Sequence, residues 1–360
     1  MPHGAEYGAR RVALSVVCLV ALALFATNLV PRVPAASASP FVWEPPVLSD
    51  PELVKLPAGP SYTRLARNRD YVIHLPDSVK DGYTMIEGGR NVVIIGGHVV
   101  VPVGGETDSE RRGIYIKNAN GVVHIEGLVI EGTDPRGFDG IAISAPNAIV
   151  QIVNVRVTGV SGRFDGFHGD VVQPFGGVRE LRIDHLTATS NYQGLYLAET
   201  SGRIRGADIR NVDLAYAPNA HDATTYLLWL PARTGACETY PIYLEAVYID
   251  PRPGQDVAGY AVWPNSLRPA ACTALKHGAS IGWPDLPDVD GVVTAGSPPG
   301  GDFVPEGTVG LGYTPAWLEA GDTDDEPVAD PTRGGQQRPR GRHRPRGPNG
   351  HMMLVYGHSL

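Results

Sequence analysis

The sequence predicts an all-β chain folded as a single-stranded parallel β-helix, a solenoid with caps at its N- and C-terminal ends. Three observations carry this. Short β-branched runs recur in one fixed order at intervals of about 23–31 residues, the range of solenoid repeats. Apolar spacing of three and four over ten or more residues, which a helical solenoid needs, is missing. Gly (44) and Pro (32) are abundant among 360 residues while charged residues make up only 19%, a mix suited to many strands joined by many turns.

Three runs make each repeat. The first reads Arg112-Gly113-Ile114-Tyr115, Asp139-Gly140-Ile141-Ala142, Asp170-Val171-Val172-Gln173 and Gln193-Gly194-Leu195-Tyr196. The second reads Val92-Val93-Ile94-Ile95, Val122-Val123-His124-Ile125, Ile149-Val150-Gln151-Ile152 and Leu181-Arg182-Ile183. The third reads Val99-Val100-Val101, Leu128-Val129-Ile130, Val155-Arg156-Val157, Leu186-Thr187-Ala188 and Ile209-Arg210-Asn211-Val212. Constant order means that each run stacks on its counterpart one turn later, with alternate side chains filling the interior. A sandwich would need hairpin turns, and a β-propeller, the next-best architecture, needs blades of about 40–45 residues. Asn91, Asn120 and Asn147 each precede the second run. Asparagine tolerates left-handed backbone and bonds locally, so these read as coil corners.

The N-terminus reads as a secretory signal over residues 1–38. Arg10 and Arg11 precede the apolar run Val12 to Ala26, and Ala36-Ser37-Ala38 offers small residues for cleavage. The rival reading is an uncleaved anchor, but Pro31 and Pro34 follow at once. After cleavage no stable membrane span is expected, and the localisation is extracellular or cell-wall associated. Cys237 and Cys272 then remain, and an oxidising compartment predicts one disulfide between them. Residues 39–70 read as an N-terminal cap, in which Trp43, Leu53, Val54 and Leu56 cover the first exposed edge. Residues 71–275 read as the β-helix and 276–320 as a C-terminal cap. Residues 321–360, acidic and then rich in Arg, Pro and Gly, read as a disordered tail or a wall attachment. The formal net charge of -8 disfavours nucleic acid and anionic membranes as partners. A monomer is expected.

Asp165-Gly166-Phe167-His168-Gly169-Asp170-Val171-Val172-Gln173 concentrates titratable groups where neighbouring segments carry small or apolar ones. Aligning the first runs puts Asp139, Asp170 and Gln193 at one rung position, and Ala142, Gln173 and Tyr196 at another. Neighbouring rungs lie about 4.8 Å apart. At that distance one carboxylate raises the pKa of the next, or the two share a cation, for which calcium is the candidate. His168 falls at the turn beside them, a carboxylate–imidazole arrangement suited to acid–base work. The competing reading is a hydrogen-bonded corner that merely holds the turn. His124 and His185 lie among apolar neighbours and read as satisfied core or surface residues. His221-Asp222 is a weaker candidate pair. No Cys/His cluster has zinc spacing, so no metal ligands are assigned.

The texts Gly113-Ile114-Tyr115-Ile116, Asn120-Gly121-Val122-Val123-His124-Ile125 and Gly194-Leu195-Tyr196-Leu197 resemble the right-handed parallel β-helix proteins of the pectate-lyase-like superfamily, over residues 71–265. His168-Gly169-Asp170-Val171-Val172-Gln173 is similar to a His-x-Asp-Gly-Ile-Gln sequence of many secreted members, with Val171 standing where Gly is usual. The resemblance implies polysaccharide binding, with cleavage by either of two routes. In a hydrolase, one of Asp139, Asp165 or Asp170 protonates the glycosidic oxygen while another activates water. In a lyase, His168 abstracts a proton beside a uronate carboxylate that Arg182 or Arg205 neutralises. Gln173, Gln193 and Tyr196 are assigned to substrate binding, as is Trp229 by sugar stacking within the set Tyr192, Tyr196, Tyr226, Trp229 and Trp263. Capping of the coil interior is the competing role of Trp229 and Trp263. The alternative for the whole chain is a non-catalytic surface or adhesion rod.

Overall fold

The structure is a computed structural model that describes residues 41–132, 134–218, 226–231, 237–267 and 272–319. The signal segment, the tail from residue 321 and the His221-Asp222 pair lie outside the described residues. Nearly all regular structure is β, and the strands form one large, mostly parallel arrangement.

Each turn of the chain lays down three strand segments, and each pairs in parallel with its equivalent one turn on. On the first face, Ile114 pairs with Ile141, Ile141 with Val172, Val172 with Leu195, Leu195 with Leu228 and Leu228 with Val262. On the second face, Ile73, Ile94, Ile125, Ile152, Ile183, Ile209 and Leu244 stand in one continuous row. All are buried. On the third face Val99, Ile130, Val157, Ala188, Leu214 and Ile249 do the same. These rows explain why alternate positions are β-branched: a branched side chain fits the pleat and packs on an identical neighbour above and below. Burying an Ile side chain contributes about 1.5–3 kcal/mol, so a row of six dominates its face.

The pairing extends beyond the expected 71–275 interval on both sides. Glu52–Lys55 pairs with Tyr71–His74, and Ser61–Leu65 pairs with Thr84–Gly88. At the other end Val289–Ala295 continues the parallel stack, with Leu275–His277 and Ser280–Gly282 added antiparallel. One register expectation is corrected. Ile209 belongs to the second-face row, paired with Ile183, and the third face of that turn begins at Val212, paired with Leu186.

The corner between the second and third faces is left-handed at six successive rungs. Register brings Gly96, Gly127, Asn154, His185, Asn211 and Ala246 to this position. Their φ values lie between 50° and 76°. Asn91, Asn120 and Asn147 are not left-handed. Asn91 acts through its side chain instead, its Oδ1 accepting the Val122 N–H at 3.0 Å.

Two segments without repeat pattern run along the side of the stack. Residues 41–49 span it from the rung of Asp184 to that of Asp70. The Val42 N–H donates to Asp184 Oδ2 at 2.8 Å, Trp43 lies against the Arg182 and Arg210 guanidiniums, and the Ser49 N–H donates to Asp70 Oδ2 at 2.7 Å. The expected N-terminal cap is thus in part a side strap and in part a first strand. Residues 302–313 form a second strap. The Val304 N–H donates to Thr187 Oγ1 at 2.9 Å, the Gly310 N–H to Gly127 O at 2.8 Å, and the Tyr313 hydroxyl to Glu126 Oε1 at 2.7 Å. His185 sits where the straps meet, its ring 5.2 Å from Phe41 and 6.0 Å from Phe303, with Nδ1 2.7 Å from Asp184 Oδ1. His124 is buried between Gln151 and Glu126 at 2.9 and 2.8 Å. Both histidines are satisfied structural residues.

Cys237 and Cys272 form the expected disulfide, with Cα atoms 5.5 Å apart. Among the described residues no helix is long and apolar enough to cross a membrane. Residues up to Pro315 form one unit, and Ala316–Leu360 a second whose described part is the helical turn Ala316–Glu319.

Candidate functional site

The first face begins each turn after a loop, and side chains at its leading edge meet the loop of the next turn. Register places Arg112, Asp139, Asp170 and Gln193 in line at this edge. The run Asp170–Gln193 thus falls where the sequence alignment put it, and Arg112 heads the same row.

Asp139 is 1% exposed and held from both sides. Arg112 Nε donates to its Oδ2 at 3.1 Å, and the Asp170 backbone N–H donates to its Oδ1 at 3.0 Å. Burial nevertheless dominates and raises the Asp139 carboxyl to about 6, the Arg112 charge opposing it. Arg112 is itself fixed, with its guanidinium 4.7 Å from the ring centres of both Tyr115 and Phe175. Asp170 is completely buried, and among the described residues neither carboxyl oxygen has a hydrogen-bond partner. Burial first, and the Asp139 charge second, push its carboxyl well above the ordinary range. An ionised, unbonded carboxylate in such a place costs several kcal/mol, so the site favours the protonated form of Asp170.

In front of Asp139 lies a cavity of about 370 Å³ lined by Asp108, Arg111, Arg112, Asp139, Gly166, Phe167, His168 and Gln173. His168 is exposed. Its Nε2 lies 3.1 Å from Phe164 O, and its ring centre is 5.4 Å from Tyr192. Burial and nearby Asp170 raise the Tyr192 phenol to about 12, so it stays neutral. Gly169, between His168 and Asp170, has its backbone pressed against Ser161 and Phe138, leaving no room for a Cβ. The turn therefore sends His168 to the cavity while Asp170 goes behind it.

The structure brings Asp139, His168 and Gln173 to one cavity. Asp170 and Gln193 are in register with Asp139 but buried, and do not line it. Asp165 points away, its carboxylate 79% exposed and 3.1 Å from Arg163. Arg182 lies on the second face, bound to Glu180 at 2.8 Å, and Arg205 lines a separate cavity of about 410 Å³ with Tyr243. The positive charges at the Asp139 cavity are Arg111 and Arg112. Arg112 was legible, since it occupies the Asp139 rung position one turn earlier. Arg111 and Asp108 come from the short 3-10 helix Asp108–Arg111, outside the repeat, and no periodic signal marks them. Among the described residues no group of three His, Cys, Asp or Glu side chains could hold a metal ion. Arg112 supplies the cation beside Asp139.

Along the other outward row of the first face, register aligns Tyr115, Ala142, Gln173, Tyr196, Trp229 and Trp263. Tyr196 and Trp229 have ring centres 5.2 Å apart, and Trp229 and Trp263 5.8 Å. Tyr226 packs on both tryptophans. Trp229 and Trp263 are half-buried on this row and do not plug the coil interior, which Leu228 and Val262 fill. Comparison with known proteins finds no matching protein-family model, no matching curated protein and no matching solved structure.

Proposed function

We propose that the parallel stack is a right-handed β-helix of the pectate-lyase-like kind, that it is exported, and that it binds and hydrolyses a polysaccharide at the Asp139 cavity. The observation that carries this reading is a buried carboxyl, raised to about 6, opening onto a cavity shared with an imidazole and an amide. Such a carboxyl holds its proton in mildly acid solution, up to about pH 6, and can give it up, the requirement for a general acid. Asp139 donates its proton to the glycosidic oxygen as the C–O bond breaks. Water attacks the anomeric carbon, and His168 takes the proton released. Gln173 orients sugar hydroxyls. Arg112 and the Asp170 N–H are positioning groups that hold Asp139 in place. Asp170 remains neutral behind it.

The test is release of reducing ends from a panel of soluble polysaccharides by the full chain, by Asp139→Asn and by His168→Ala. Each variant should lose activity about 100-fold or more while keeping its circular dichroism spectrum. Full activity in Asp139→Asn sinks the reading. Binding without turnover in the parent chain identifies a non-catalytic glycan-binding rod instead.

A further inference from the structure

Resting on that reading, we propose that the substrate is an extended, uncharged pyranose polymer lying parallel to the stacking axis, against the aromatic row that Tyr196 and Trp229 begin. Register makes these three rings successive members of the row that includes Gln173, and Gln173 lines the Asp139 cavity. The row therefore leads from the acid outward along the stack. Its ring spacings of 5.2 and 5.8 Å follow the rung repeat of about 4.8 Å and are comparable with the length of one sugar ring. The rings are tilted, by 58° between Tyr196 and Trp229 and by 41° between Trp229 and Trp263, so the row offers successive apolar contacts to an extended chain and not one flat platform.

Charge sets the substrate class. The row from Gln173 to Trp263 carries no charged side chain. The cavity lining has Asp108 and Asp139 against Arg111 and Arg112, a formal balance of zero, and Arg112 is already committed to Asp139. The whole chain carries -8. A polymer with a carboxylate on every sugar would meet net repulsion and no free row of cations. A neutral polymer meets aromatic side chains, contact with which needs no counter-charge.

The experiment measures dissociation constants of the full chain for glucomannan and hydroxyethyl cellulose, with polygalacturonate and alginate as anionic counterparts. At least one neutral probe should bind more tightly than both anionic ones. Tyr196→Ala and Trp229→Ala should each weaken it about tenfold, and Trp229→Phe less than about threefold. Failure of both neutral probes, preference for an anionic one, or parent-like binding by folded alanine variants overturns the proposal. If Trp229→Ala does not fold, Tyr196→Ala, together with quenching of the parent's tryptophan fluorescence by the probe, decides the matter. Binding that needs the aromatic row in a chain that cleaves nothing leaves this inference standing and removes the hydrolase reading. Cleavage that needs Asp139 but not the row does the reverse.

Discussion

Replacing Asp170 by Asn should flatten the fall of stability with rising pH. A carboxyl whose pKa is higher in the fold than in the unfolded chain keeps its proton longer when folded. Stability is then greatest below the unfolded pKa and falls as pH rises toward the folded one. For each proton so held the slope is about 1.4 kcal/mol per pH unit. Asp139, raised from 3.8 to about 6, contributes a loss of roughly 3 kcal/mol across that window and none above it. Asp170 is raised further, by complete burial and by the Asp139 charge, so its loss starts in the same range and continues upward. The parent should therefore lose up to about 2.7 kcal/mol per pH unit from this pair between pH 4 and 6, and Asp170→Asn half of that. Asp70, Asp134 and Asp184 are lowered by their partners, so their contribution is lost as pH falls below the ordinary carboxylate range, outside this window. Asp213 is raised but is common to both chains, so it cancels in the difference. Urea unfolding at pH 4.5, 6 and 7.5 gives the two curves. Parallel curves, or a variant whose deficit grows with pH, would refute the assignment of a protonated Asp170.

Two further outcomes test the architecture. Ile152→Ala opens a void between Ile125 and Ile183 in the second-face row and should cost about 2–5 kcal/mol in denaturant unfolding, with a loss under ~1 kcal/mol contradicting the stacked row. The Cys237–Cys272 bridge closes a loop with a sequence separation of 35, so the double serine variant should unfold about 4 kcal/mol more easily, and an unchanged urea midpoint would count against the pairing.

The stacked faces were legible because their chemistry repeats: a β-branched residue at every second position in three runs specifies both strand and register. The acidic row was legible for the same reason, and Arg112 could be read from it. The misplacement of Ile209 has a physical cause. The corner between the second and third faces takes Gly, Asn, His and Ala in turn, so no single residue type marks where one face ends. Burial was not legible either. Asp139 and Asp170 are equivalent in sequence, yet only one reaches the cavity, because the close approach at Gly169 tucks its successor behind the sheet edge. The straps are not legible in the sequence because their hold on the stack comes from single groups such as Val42 N–H and Tyr313 hydroxyl, spaced by the rungs they cross and not by any period of their own.

Those straps alter how the stack comes apart. An unbraced array of repeats frays from its ends, since each unit touches only its neighbours. Here residues 41–49 tie the rung of Asp70 to that of Asp184, and residues 302–313 tie the rung of Thr187 to that of Gly127. Peeling the outermost rung therefore also strips a brace from the middle. Amide hydrogens from Tyr71 to Ala188 should exchange as one cooperative block and not in a gradient from the open end.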